Sequence, residues 1–131
     1  RRLLTFRLDG KAKLPPTAPY DETVRPVDDP AITLAEADVA AGRKLFHMAC
    51  HGCHGGDAES SGAPGPDLRE SAIAMDEAAI WGVVHDGALL SRGMPRFAHY
   101  SRDEVMQIRA FIRAMARKEL ARQASAGALV K

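Results

Sequence analysis

The feature that most constrains this chain is the stretch Cys50-His51-Gly52-Cys53-His54. Two cysteines three positions apart, with a histidine directly after the second, form the attachment pattern of a c-type haem. Two thioether bonds would hold the edge of the porphyrin, and the imidazole of His54 would bind the iron. Because Cys50 and Cys53 are the only cysteines, this one function accounts for both. We predict one covalently bound haem c, with His54 as an axial ligand of its iron.

Other sites built from cysteine fit the pattern less well. A structural zinc site usually has four ligands, and the chain offers no second Cys or His pair at similar spacing. His47 and His51 lie too close in sequence to complete a tetrahedron easily. A thioredoxin-like redox motif would adjoin a βαβ pattern, and none is visible. A disulfide that closes so short a loop would stabilise little.

Composition narrows the classes of function. The 131 residues suit one domain with an additional segment, and 18 basic residues balance 17 acidic ones. We therefore expect no nucleic-acid binding. No apolar run is long enough for a transmembrane helix. Aromatic residues make up only 5% of the chain, so a buried haem would supply apolar surface that the side chains do not.

The first part of the chain divides into two segments. Residues 3–8 favour a β-strand and end at the turn signal Asp9-Gly10. A single strand needs partners, so we assign residues 1–10 to the remnant of a preceding β domain and expect the chain to be a piece of a longer protein. Residues 11–33 contain five of the eight prolines. They are predicted to form an extended linker or a disordered tail.

Residues 34–122 are predicted to form an all-α domain of three main helices around the haem. The capping-box pattern Thr33-Leu34-Ala35-Glu36 would begin a helix that ends near Met48, directly before the cysteines. Gly42 on this helix would allow another helix to approach closely.

Two further helices complete the predicted domain. One spans residues 76–86, with Gly87 as its C-cap. The last begins at the capping box Ser101-Arg102-Asp103-Glu104 and packs against the first helix. We expect residues 123–131 to form a frayed tail.

The loop Gly65-Pro66-Asp67-Leu68 is predicted to support the histidine ligand. A metal-bound imidazole usually donates its other ring N–H to an acceptor. The carbonyl oxygen of Pro66 is the candidate acceptor, and Leu68 is expected to pack on the haem face. An ordinary surface loop is the alternative.

Met94 is the candidate for the second axial ligand. It lies between Gly93 and Pro95, where a constrained backbone can present the thioether to a metal. The other methionines lie beside the cysteine motif or at predicted helices, where methionine more often fills the core. His99 is the alternative ligand.

Several residues are candidates for contacts at the haem edge or with a partner. Trp81 could contact the ring or donate to a propionate, although ordinary packing explains it equally well. Arg92 and Arg96 could pair with propionates or be solvated. Arg109, Arg113 and Arg117 recur at intervals of four. We interpret this row as a solvated face near a helix C-terminus, with a docking face for an acidic partner or an adjoining domain as the alternative.

In the order and spacing of these motifs, residues 34–122 resemble class I cytochromes c. Residues 4–12 and the proline-rich segment that follows resemble the end of the catalytic domain in quinohaemoprotein alcohol dehydrogenases. This resemblance implies a β-propeller domain earlier in the same polypeptide, with pyrroloquinoline quinone (PQQ) and calcium bound there. The present chain lacks the residues that would bind either group.

The resemblance also implies a function. An alcohol would be oxidised at the quinone, and electrons would pass singly to the haem and then to a soluble acceptor in the bacterial periplasm. That acceptor would be a small blue copper protein or another cytochrome c. The chain alone would transfer electrons and catalyse no reaction. The alternatives are a free-standing cytochrome, and a haem enzyme or sensor with an open distal position.

Overall fold

Helices dominate the structure, a computed structural model that describes residues 7–13, 16, 23–60 and 62–128. The four α-helices are α1 (Glu36–Ala49), α2 (His51–His54), α3 (Glu77–Val84) and α4 (Arg102–Ala128). Three 3₁₀ turns lie between them, at Leu68–Glu70, Ala72–Met75 and Leu90–Arg92. These described ranges contain no strand, which confirms the predicted all-α class.

The core forms where α1 crosses α4. Gly42 is buried at this crossing, and a Cβ atom there would overlap the backbone carbonyl of Gln107. The role predicted for Gly42 is therefore confirmed. One turn further on, the ring of Phe46 lies 5.1 Å from that of Phe111. Other fully buried side chains at the crossing include Val105 and Ile108.

The two predicted capping boxes have different outcomes. At α4, the Ser101 N–H donates to Glu104 Oε2 at 2.8 Å, and the Glu104 N–H donates to Ser101 Oγ at 3.3 Å. This capping box is confirmed. The prediction at Thr33 is wrong, because α1 begins at Glu36 with Ala35 as its N-cap and without a side-chain cap.

The later start of α1 has a physical reason in the preceding turn. The N–H of Ile32 donates to the carbonyl of Asp29 at 3.1 Å. The Ile32 carbonyl in turn accepts a hydrogen bond from Arg117 on α4. The chain before α1 is therefore held against α4 and does not enter the helix at Thr33.

Helix α3 is shorter than the predicted span of residues 76–86. Asp76 is its N-cap and accepts the Ala79 N–H at 2.7 Å. The helix ends at Val84 with His85 as its C-cap. Gly87, which was predicted to end the helix, lies two residues later with a φ of 79°.

The arginine row on α4 is not a solvated face, so that prediction is wrong. Arg109 donates to the carbonyls of Ala74 and Met75, each at 3.0 Å. Arg113 is fully buried. Arg117 pairs with the Asp28 carboxylate at 2.6 Å. The row therefore binds other parts of the same chain.

The packed structure extends beyond both ends of the predicted domain, residues 34–122. Helix α4 continues to Ala128, so residues 123–128 are not a frayed tail. Gln123 donates to the carbonyl of Val24 at 2.9 Å, and residues 24–32 lie along α4. Residues 3–6 of the predicted strand 3–8 lie outside the described residues. The turn predicted at Asp9-Gly10 is present, with the Gly10 N–H donating to the Arg7 carbonyl. Within the described ranges, no helix combines the length and apolar character needed to cross a bilayer.

Gly42→Ala is expected to destabilise the fold, because the added methyl group would force α1 away from the backbone of α4. Overpacking of this kind costs about 1–3 kcal/mol of unfolding free energy. The matched control is Gly82→Ala on α3, where an added Cβ meets nothing within 4 Å. Equal denaturation midpoints for the two variants would contradict the close crossing.

Candidate haem site

The cysteine motif lies directly after α1. The Cys50 N–H donates to the carbonyl of Phe46 at 2.8 Å, and the His54 N–H donates to that of Cys50 at 3.0 Å. Both cysteines are free thiols, Cys50 half-buried and Cys53 exposed. Burial, with the nearby Cys53, raises the pKa of the Cys50 thiol to about 11. The two thiols are thus available for bonds to another group.

The zinc alternative lacks a ligand set in this part of the chain. The described residues contain no cluster of three or more His, Cys, Asp or Glu side chains that could hold a metal ion. His47 and His51 have ring centroids 6.1 Å apart, and His47 Nε2 lies 2.8 Å from the carbonyl oxygen of Gly56.

His54 is buried, with 8% of its surface exposed. Its Nδ1 atom lies 3.0 Å from the carbonyl oxygen of Pro66, which is the contact that the sequence predicts. Because a carbonyl can only accept a hydrogen bond, Nδ1 carries the proton in this arrangement. The lone pair of Nε2 is then free to bind a metal.

Gly65 allows the loop to approach His54 this closely. Its N–H donates to the carbonyl of Cys53 at 2.7 Å. A Cβ atom on Gly65 would lie 2.7 Å from His54 Nδ1 and 2.5 Å from the Cys53 carbonyl oxygen. The sequence places Gly65 in the supporting loop, but no local pattern indicates that it contacts His54.

Side chains from within and beside the loop hold its backbone in place. Ser60 Oγ donates to the carbonyl of Gly65 at 2.5 Å, and Asp67 accepts hydrogen bonds from both the backbone and the guanidinium of Arg69. Burial acts to raise the pKa of Asp67, but these bonds hold it below its usual value. Arg69 also lies 3.6 Å from Glu119 of α4. Ser60, Arg69 and Glu119 were not identified from the sequence, because their partners are distant or are backbone atoms.

The motif and the loop line one cavity of about 470 Å³. Its wall is mainly apolar and includes Phe46, Leu68, Ile80 and Ile108. Among the residues predicted to bind haem, seven lie on this wall: Cys50, Cys53, His54, Pro66, Leu68, Arg92 and Met94.

Met94 is the only one of the five methionines on the wall of this cavity. Gly93 before it has a φ of 90°, a left-handed conformation that suits glycine. Met48 is 76% exposed, and Met75 Sδ lies 3.1 Å from Arg113 Nη1. Met106 and Met115 pack against the core. The structure therefore separates Met94 from the other candidates.

The remaining candidates are divided between the cavity and the surface. Arg92 lies on the cavity wall. Trp81 does not, and stacks instead on His85 at 3.9 Å between ring centroids, with the Arg102 guanidinium 5.7 Å away. Arg96 donates to the carbonyl of His85 at 3.1 Å. The exposed ring of His99 contacts Tyr100 and is also absent from the wall.

The residues on the wall suit a c-type haem. Two free thiols could form the covalent bonds, and a neutral imidazole and a thioether are the common axial donors of cytochromes c. An apolar lining would bury the porphyrin. The fit rests on this donor set and on the close contact that Gly65 allows between the loop and His54.

Known proteins match most of this chain. The sequence model of the family described as "Cytochrome C oxidase, cbb3-type, subunit III" matches residues 37–112. Quinohemoprotein alcohol dehydrogenase ADH IIB of Pseudomonas putida is 43% identical over 112 residues, which is 85% of this chain and 16% of that protein. Lupanine 17-hydroxylase (cytochrome c) of a Pseudomonas species is 40% identical, over 85% of this chain and 15% of that protein.

A third relative is a dehydrogenase subunit of Alcohol dehydrogenase (quinone) from Gluconobacter oxydans. It is 36% identical over 113 residues, which is 85% of this chain and 14% of that subunit. The chain thus spans about a sixth of the length of these curated relatives.

Gly65→Ala is expected to displace the loop from His54, because the added Cβ would overlap Nδ1. We expect a lower thermal midpoint and faster exchange of the His54 ring N–H in NMR spectra of the haem-loaded protein. Gly56→Ala is the matched control, since a Cβ there meets nothing within 4 Å. Equal exchange rates in the two variants would contradict the close approach of Gly65 to His54.

Proposed function

This chain belongs to the cytochrome c family whose model is described as "Cytochrome C oxidase, cbb3-type, subunit III", and we propose that it carries one haem c and transfers electrons through it. The haem would be bound by thioether bonds to Cys50 and Cys53. The observation that carries this proposal is the single cavity whose wall includes both thiols, His54 and Met94.

The predicted site residues that lie on the wall each have a proposed role. His54 would bind the iron through Nε2, while the Pro66 carbonyl holds the ring in one orientation and makes the imidazole a stronger donor. Met94 would bind the iron through its sulfur. Leu68 would exclude water from the haem face, and Arg92 would pair with a propionate. We propose no propionate contact for Trp81 or Arg96, since both lie against His85.

When bound, haem c supplies a one-electron couple. The protein controls that couple through the two axial donors, through burial and through hydrogen bonding at His54. A thioether favours the reduced state of iron relative to a second imidazole, so Met94 would raise the reduction potential. Nothing in this arrangement requires the chain to bind an organic substrate.

For the larger protein, we propose an alcohol dehydrogenase in which this domain accepts electrons from PQQ. Two of the relatives are alcohol dehydrogenases whose names include a quinone or quinohemoprotein term, and each is several times longer than this chain. A β-propeller domain of the same polypeptide would hold PQQ and calcium. The haem would then pass single electrons to a soluble acceptor in the bacterial periplasm, either a small blue copper protein or a cytochrome c.

Met94→Ala is expected to leave haem covalently attached and to lower its reduction potential, because the thioether donor is lost. Axial ligand identity shifts haem potentials over a range of about 0.8 V, so the change should be readily measurable by spectroelectrochemistry. The near-infrared band of methionine-ligated ferric haem should also disappear.

Met48→Ala is the matched control, because Met48 is exposed and does not line the cavity. An unchanged reduction potential in Met94→Ala would mean that another group binds the iron in the position assigned to Met94. Absence of the band from the unsubstituted protein would instead favour ligation by His99, or a haem enzyme or sensor with an open distal position.

A further inference from the structure

Arg113 joins three separate parts of the chain. It is fully buried on α4. Its Nη1 atom donates to the carbonyl of Val27 and lies 3.1 Å from Met75 Sδ, while Nη2 donates to the carbonyl of Leu68 at 3.1 Å. Burying a guanidinium without a directly bonded carboxylate is costly, and burial lowers the pKa of Arg113 although Asp28 opposes the change.

The two backbone carbonyls belong to segments with different tasks. Val27 lies in the segment 23–33 that precedes α1. Leu68 lies on the cavity wall, two residues after the Pro66 carbonyl that accepts from His54. A direct hydrogen bond also joins the two segments, since the Val27 N–H donates to the carbonyl of Arg69 at 2.9 Å.

We propose that Arg113 is a positioning residue for His54. By bonding the carbonyls of Val27 and Leu68 at once, it makes the hydrogen bond between His54 and Pro66 depend on the docking of segment 23–33. The inference rests on the proposed function, because it treats His54 as a haem ligand. Displacement of segment 23–33 would then change the properties of the haem site.

The geometry of the arginine side chain explains why position 113 needs several N–H donors. A guanidinium presents several N–H groups in a fixed plane and can bond two carbonyls together, whereas a lysine ammonium is a single point of charge on a flexible stem. Arg113→Lys therefore keeps the positive charge and loses the double contact. This separates positioning from the plain electrostatic effect of a buried charge, because only positioning is altered.

The expected direction of the redox change follows from the hydrogen bond. A weaker bond from His54 Nδ1 to Pro66 makes the imidazole a weaker donor to iron. The oxidised state then loses stabilisation, and the reduction potential rises. Loss of a positive charge would have the opposite sign, since a nearby cation favours the reduced state.

The test compares the full chain with Arg113→Lys and with Arg109→Lys, each loaded with haem. Arg109 is the matched control. It is also an arginine of α4 that donates to two backbone carbonyls, but these are the carbonyls of Ala74 and Met75, which lie outside segment 23–33 and outside the loop beside His54. Covalent haem is verified by mass. NMR then gives the exchange rates of the His54 ring N–H and the Val27 amide, with the Ile112 amide as a core reference, and the reduction potential is measured by titration.

In Arg113→Lys, we expect both the His54 and Val27 protons to exchange faster relative to Ile112, and the potential to rise. Arg109→Lys should leave the exchange rate of the His54 ring N–H, relative to that of the Ile112 amide, unchanged. Unchanged relative exchange at His54, or equal acceleration of all three protons, would overturn the inference while leaving the proposed function intact. Absence of covalent haem from the unsubstituted chain would overturn the proposed function and the inference together.

Discussion

The structure depends first on the crossing of α1 and α4, where Gly42 leaves no space for a side chain. This approach brings Phe46 against Phe111 and fixes the end of α1 above the core. Because the Cys50 N–H donates to the carbonyl of Phe46, the crossing of α1 and α4 also determines where the cysteine motif lies. A small aromatic content then suffices, since the helices pack through a close backbone contact and the cavity beside them suits a large apolar cofactor.

The second level of organisation is the support around His54. The loop that supplies the Pro66 carbonyl is held by its own Asp67 and by the neighbouring Ser60. Helix α4 contacts it directly through Arg113, and indirectly through Glu119, which lies beside Arg69. The same helix holds the segment 23–33 through hydrogen bonds to its backbone. Helix α4 therefore contacts both the loop beside the haem site and the segment 23–33 that precedes α1.

Sequence reasoning succeeded where a rule is local. The Ser101 capping box and the α-helical class follow from short-range spacing, and the contact of His54 with Pro66 follows from the need of a ligand imidazole for an acceptor. It failed where a distant backbone carbonyl decides the outcome. Periodicity places Arg113 on one face of α4 but cannot indicate that the carbonyls of Val27 and Leu68 lie opposite it. Trp81 shows a different limit: periodicity places it on α3 but does not decide whether its ring reaches the cavity or stacks on His85, four residues further along the chain.

The central claim is that Cys50 and Cys53 bind a single haem covalently, in a cavity that also presents His54 and Met94. It joins the family assignment to the geometry, since the cofactor explains why two thiols, an imidazole and a thioether line one apolar space. The most direct test is the intact mass of the protein, purified from a host that matures c-type cytochromes and extracted with acidified organic solvent. The mass of the polypeptide plus one haem is the predicted result. The mass of the bare polypeptide, with the colour lost to the solvent, would contradict it.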